Sequence, residues 1–217
     1  MIYFPGAIGG LIATTVFDET NPENNMKITG EKLASYILNI EEENISFGKL
    51  KQAKVEFKVK LENTLFLYFK FLGILKNSIS KNIFTGNYYV KTELSIIQID
   101  KITLVLIPGE IFPELVWGGA INNPDLDENI TSKNPKSLIE IAKEYNIDNL
   151  IILGLANDEI GYIVPPSDFL LNDEYPYLQN KEDTKGENHY EETMSVGFEV
   201  SEKIAKAFNE CLSKLNN

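Results

Sequence analysis

Between Lys51 and Glu62 apolar and polar residues alternate without a break: Val55, Phe57, Val59 and Leu61 on one side, Lys54, Glu56, Lys58 and Lys60 on the other. A period of two with one charged face predicts a half-buried strand that is wet on its outer side. Tyr88 to Gln98 and Lys101 to Ile107 form a second strand pair, joined as a hairpin through Asp100. The short apolar run Asn149 to Leu155 predicts a buried strand, and Ile2 to Thr15 opens as another that breaks into Gly6-Ala7-Ile8-Gly9-Gly10. Helical spacing appears in Lys27 to Glu43, with Ile28, Leu33, Tyr36, Ile37 and Ile40, closed by a solvated acidic end at Glu41 to Glu43. Asn63 is placed to cap a helix from Thr64 to Leu72, ending near Gly73, and its almost wholly apolar circumference predicts a core helix in preference to a lipid-facing surface. Pro135 starts a helix that carries Leu138, Ile139, Ile141 and Ala142 and ends near Asn146. Glu191 to Leu215 predicts the last helix, with Phe198, Ile204, Ala205, Phe208, Leu212 and Leu215 on one stripe. Asp18 to Asn25, Asn122 to Asn134 and Asp168 to Asn188 are polar and predict loops. Strands and helices alternate across residues 1–217 as one domain of mixed α/β class, a mixed β-sheet flanked by helices.

Composition narrows the chemistry. The net charge is −12 and all 20 basic residues are lysine, so no arginine fork or basic patch offers itself to nucleic acid. A single cysteine, Cys211, excludes an internal disulfide and a cysteine zinc cluster, and a single histidine, His189, excludes a zinc site built from several histidines of this chain. The longest apolar run, Thr64 to Phe69, is too short to span a bilayer, so the chain is not expected to be transmembrane. Met1-Ile2-Tyr3-Phe4-Pro5 lacks the basic and apolar regions of a signal peptide.

Candidate chemistry gathers at two strand ends. The strand Ile102 to Ile107 runs into Pro108-Gly109-Glu110, and the strand ending at Leu155 runs into Ala156-Asn157-Asp158-Glu159-Ile160-Gly161-Tyr162. Polar side chains at the end of a buried strand sit where a scaffold usually presents its chemistry, although the second stretch also reads as a plain turn. Gly6 to Gly10 suits an active-site loop or a tight bend. It has neither the spacing nor the Lys-Ser/Thr pair of a phosphate loop.

Pro108-Gly109-Glu110, then Gly154-Leu155-Ala156-Asn157 with Gly161-Tyr162, then Tyr190-Glu191, occur in an order that resembles the neutral (non-lysosomal) ceramidase family. The resemblance extends weakly to Gly6 to Gly10 and to Gly30-Glu31-Lys32-Leu33-Ala34, and corresponds to the latter half of that family's catalytic domain. It implies a zinc amidohydrolase that splits N-acyl sphingoid lipids into fatty acid and sphingosine. Glu110 and Tyr162 match two zinc ligands, and Tyr190 matches a tyrosine beside the substrate carbonyl. Asn157, Gly9 and Gly10 match the substrate-binding surroundings. A metal-bound carboxylate and phenolate, with a further phenol near the developing oxyanion, make chemical sense for amide hydrolysis.

The departures matter as much. The family's catalytic serine position falls close to Ile12, which has no hydroxyl, and Thr14 and Thr15 are out of register. The family's two zinc-binding histidines have no match, so the resemblance implies an upstream segment or a partner chain that supplies them. His189 is a candidate replacement ligand, but its polar, irregular surroundings predict an exposed loop side chain with no role. Three readings stand: an incomplete ceramidase-like site acting on a lipid amide, a scaffold or binding module that has lost the metal, and a hydrolase of another amide or ester.

Overall fold

The computed structural model describes residues 4–11, 21–41, 48–121, 123–126 and 134–216, and these fall into two compact units, residues 10–47 and the remainder. The smaller unit holds helix α1, Pro22–Leu38. Asn21 caps it through its side-chain oxygen, which accepts the Asn24 N–H at 3.1 Å, and Pro22 occupies the first turn. The helix therefore begins five residues before the apolar periodicity does, and it ends at Leu38 rather than at the acidic run.

In the larger unit the alternating stretch forms strand β1, Leu50–Lys60, with Val55 and Val59 buried. Strand β3, Tyr88–Ile99, pairs with β1 antiparallel, and it turns through Asp100 into β4, Ile102–Leu106. Asp100 takes a left-handed φ of 53° in that tight turn. A short β2, Ile79–Lys81, pairs with residues 88–90 of β3 while β4 pairs with residues 95–99, so the two share the edge of β3 that β1 leaves free. Strand β6, Leu150–Leu153, lies parallel to β4 and completes the sheet in the order β1-β3-β4-β6. The class is mixed α/β, with antiparallel and parallel pairs in one sheet.

One face of this sheet is covered by α5, Val200–Asn216, whose Ile204, Phe208, Cys211 and Leu212 are buried against β1 and β3. Helix α4, Leu138–Glu144, packs on α5 and on α3, Pro113–Trp117. Ser137 and Glu140 close a reciprocal capping box at the start of α4, so the helix begins three residues after Pro135. On the opposite face β1 and β3 exchange exposed ion pairs, Lys91 with Glu56 at 2.9 Å and Lys54 with Glu93 at 3.0 Å.

Four expectations fail. Residues 4–11 contain no strand; glycine and proline leave the segment to make isolated bonds, Gly154 N–H to the Pro5 carbonyl at 2.9 Å and Gly9 N–H to the Ile111 carbonyl at 3.0 Å. The last helix starts at Val200, preceded by a 3₁₀ turn over Glu191–Met194. The intervening carbonyls of Ser195 and Val196 are already taken by the Asn63 side chain and the Glu62 N–H. Helix α2, Thr64–Phe71, has the predicted cap and limits but not one buried residue, because among the described residues of the larger unit no strand or helix packs closely along it. Asn123, placed in an exposed linker, is buried. No helix among the described residues is long and apolar enough to cross a membrane.

Candidate functional site

Beyond the sheet, the chain leaves β4 and β6 in parallel and pairs again. Glu110–Ile111 forms β5 and Tyr162–Ile163 forms β7, and Glu110 is the direct register partner of Tyr162. The loop between β6 and β7 is strapped to the segment after β4: Ala156 N–H donates to Ile107, Leu155 N–H to Gly109 and Ile160 N–H to Pro108. Leu155 and Asn157 are held there at φ 52° and 72°, left-handed values uncommon for residues with a side chain. Gly161, at φ 91°, lies so close to the Met194 carbonyl that a Cβ would overlap it. That approach lets the 3₁₀ turn carrying Tyr190 and Met194 close against β7.

Tyr190 thereby reaches Tyr162, hydroxyl to hydroxyl at 3.3 Å, the rings edge to face at 87° with centroids 5.8 Å apart. Glu110, Tyr162 and Tyr190 therefore form one cluster. Burial pushes the Tyr162 phenol well above its ordinary range, and the Tyr190 hydroxyl and the Glu110 charge add to the shift, so Tyr162 is a neutral hydrogen-bond donor at physiological pH.

Glu110 and Tyr162 open onto a cavity of about 860 Å³, within the range of small-molecule sites. Its greater part is apolar, built by Leu61, Phe66, Leu75, Val90, Ile160 and Val196. Asn157, Asp158 and Glu159 add polar groups from the β6–β7 loop. Asn157 donates to the Ser95 hydroxyl at 3.0 Å, and Asn77 ties the loop down through the Asp158 carboxylate and the Glu159 carbonyl, both at 3.1 Å. Glu159 keeps an open face to solvent. Burial of the rest of its carboxyl, with the charges of Glu110 and Asp158, pushes it up to about 7, against the pull of the Gly161 N–H at 2.7 Å. In the sequence, the abrupt Asn-Asp-Glu after an apolar strand is the one signal that marks Glu159.

The remaining candidates lie elsewhere. Gly9 does not line the cavity; a Cβ there would come within 2.6 Å of the Phe112 ring and 2.8 Å of the Glu110 carbonyl. Gly10 belongs to the smaller unit. Ile12, Thr14 and Thr15 lie outside the described residues.

His189, expected to be exposed and idle, is 5% exposed and fully engaged. Its Nδ1 is 2.9 Å from Glu192 Oε1, and its Nε2 is 3.1 Å from Asn123 Nδ2. Asn123 Oδ1 accepts the Asp125 N–H at 3.0 Å, which turns the amide nitrogen toward the ring and makes Nε2 the acceptor. The hydrogen bonding thus favours a ring protonated on Nδ1. Burial alone lowers the histidine pKa, but Glu192, Asp168 and Asp183 outweigh it and the net shift is upward. Protonating Nε2 as well requires the Asn123 amide to turn over.

These residues do not by themselves fit a zinc centre. Glu110 and Tyr162 are two oxygen donors where a catalytic zinc takes three protein ligands, His189 has both ring nitrogens engaged, and no group of three His, Cys, Asp or Glu is placed to hold a metal among the described residues. Compared with known proteins, the chain matches no family model, no curated protein and no solved structure.

Proposed function

We propose that the cavity receives the hydrocarbon chain of an amphiphilic amide and that Glu110, Tyr162 and Tyr190 meet its polar linkage, the arrangement of a ceramidase-like amidohydrolase. The supporting observation is the pairing of Glu110 with Tyr162 on the wall of a mainly apolar space of about 860 Å³, with Tyr190 off that wall and its hydroxyl 3.3 Å from that of Tyr162. A neutral phenol can donate to an amide carbonyl, and two phenols together can follow charge as it grows on that oxygen. Neighbouring carboxylates accept from the amide N–H or from a hydroxylated head group. Glu110 and Tyr162 do not complete a catalytic zinc site, so zinc-dependent hydrolysis would require further ligands from outside the described residues.

Displacement of the neutral dye Nile red by N-lauroylethanolamine tests the binding. The expected result is saturable displacement that Met194→Lys, which puts a cation into the apolar wall, abolishes. Tyr162→Phe combined with Glu110→Gln should weaken the amide while leaving dodecane binding unchanged. Failure of any apolar chain to displace the dye would remove the proposal. A second reading, a non-catalytic binding module, is favoured by the presence of only two donors at the site among the described residues; it predicts the same displacement with no release of free amine when zinc is supplied with a histidine-bearing upstream segment.

A further inference from the structure

Residues 63–90 contrast sharply with the chain around them. This stretch holds Lys70, Lys76 and Lys81 and no aspartate or glutamate, in a chain of net charge −12. Within the larger unit it also concentrates the exposed large apolar side chains: Phe84 is 92% exposed, Ile83 84% and Phe71 70%, with Tyr68, Leu72 and Ile74 exposed as well. These groups are held together. The Ile74 N–H donates to the Phe69 carbonyl at 2.9 Å, folding the chain back under the end of α2, and Lys70 Nζ reaches the Asn77 carbonyl at 3.0 Å. Phe71 meets the edge of Tyr88, and Lys81 lies over the same ring at 5.4 Å, which joins the end of α2 to the β2–β3 turn. That turn presents Ile83 and Phe84 at its tip, closed by Asn82, whose side-chain oxygen accepts the Phe84 and Thr85 N–H groups.

Isolated exposed apolar residues are ordinary, but a cluster of this kind marks an interaction site. Apolar tips and lysines in a stretch that has no acid of its own, bordered by Asp158 only at Asn77, fit the headgroup region of an anionic bilayer: the rings and aliphatic chains enter the acyl boundary while the ammonium groups stay at the phosphates. An acidic protein surface, a second copy of this chain included, would meet the same lysines, and the experiment below separates that occupant from a lipid surface. The same stretch supplies Phe66, Leu75, Asn77 and Ile79 to the cavity wall. We infer that residues 63–90 form a docking surface for anionic phospholipid membranes, seating the chain on a lipid surface through Phe71, Ile83 and Phe84 with Lys76 and Lys81 beside them. This surface stands whichever ligand the cavity takes.

Co-sedimentation of the full chain with vesicles tests it, using phosphatidylcholine alone and phosphatidylcholine mixed with phosphatidylglycerol. The chain should pellet with the mixed vesicles, weakly with the neutral ones, and be released as NaCl is raised. Lys76→Gln with Lys81→Gln should lower the partition about 25-fold, about fivefold per lysine, and erase the preference for the anionic lipid. Ile83→Ser with Phe84→Ser should lower it about tenfold or more, with an unchanged circular dichroism spectrum because both side chains are exposed. No sedimentation with either vesicle overturns the inference, as does equal binding to both that ignores salt and the lysine pair. A dimer that the serine pair dissolves, without vesicle binding, would assign the face to a second copy of the chain instead. Because Nile red displacement by a monomeric amide needs no membrane, loss of vesicle binding and failure of the cavity reading are separate results.

Discussion

Asn63 ties helix α2 to the turn that carries Tyr190 and Met194, and changing it to aspartate isolates what that tie is worth. The side chain is fully buried and uses every position it has. Its oxygen accepts the N–H groups of Leu65 and Phe66 at 3.0 and 3.1 Å, and its nitrogen donates to the carbonyls of Thr193 and Ser195 at 2.8 and 2.9 Å. Aspartate has the same shape and caps a helix as well as asparagine, so the two N–H bonds survive. At the other end an oxygen replaces the NH₂ group and faces two carbonyl oxygens with no proton between them. Two hydrogen bonds are lost and two buried carbonyls go unsatisfied; at about 1–3 kcal/mol for each unsatisfied group, Asn63→Asp should cost about 2–6 kcal/mol at pH 7.5. The cost should shrink at pH 4.5, where a protonated carboxyl can donate to one of the carbonyls. Asn63→Ala loses the cap and both donors, so its cost should be similar at pH 7.5 and should not depend on pH. Urea denaturation of the three proteins at both pH values, each variant compared with the parent at the same pH, is the assay. Since Phe66, Met194 and Val196 line the cavity, both variants should also bind amphiphiles more weakly. An aspartate variant within about 1 kcal/mol of the parent at pH 7.5 would refute the argument, because those carbonyls would then have other partners.

Two further outcomes follow from buried titratable groups. Burial raises the Asp168 carboxyl to about 7, with Glu192 and Glu191 adding to the shift and His189 and Asn123 opposing it, so the folded state holds a proton that the unfolded chain releases near pH 4. Its contribution to stability is complete below that point and is lost as pH rises through about 7; Asp168→Asn should therefore match the parent near pH 4.5 and exceed it at pH 8, by about 1 kcal/mol once solvent screening of a partly exposed group is allowed for, as read from paired urea melts. The Cys211 thiol is buried beneath the sheet and pushed up to about 12, chiefly by burial, so it should react with a disulfide reagent at pH 8 only at the rate of global unfolding, and accelerate in step with urea. Fast labelling of the native chain would contradict the packing of α5 against β3.

Local pattern alone determined much of the frame. The alternation from Lys51 to Glu62 is β1, the hairpin through Asp100 is β3 and β4, Asn63 opens α2 at the expected residue, and the stripe from Ile204 to Leu215 is the buried face of α5. Each depends on spacing or on a cap, physics that operates within a few residues. The ends of β4 and β6 were legible for the same reason, since an apolar run stopping at Pro-Gly-Glu or Asn-Asp-Glu marks its own end, but not that Glu110 and Tyr162 each open a further strand and pair in register. What lay beyond the sequence depended on partners far along the chain. The composition of α2 reads as core, yet exposure is decided by whether another element covers a helix, and no described strand or helix of the larger unit packs closely along it. His189 sits in a polar stretch, but Asn123, 66 residues away, and the turn that brings Glu192 back to the ring bury it. Glu159 became part of the site only when Pro108 and Gly109 strapped its loop beside Glu110, and Tyr190 met Tyr162 only because Gly161 admits the Met194 backbone. Periodicity specifies which residues wish to be buried; closure of distant segments on one another decides which of them are, and which polar groups come to share a space.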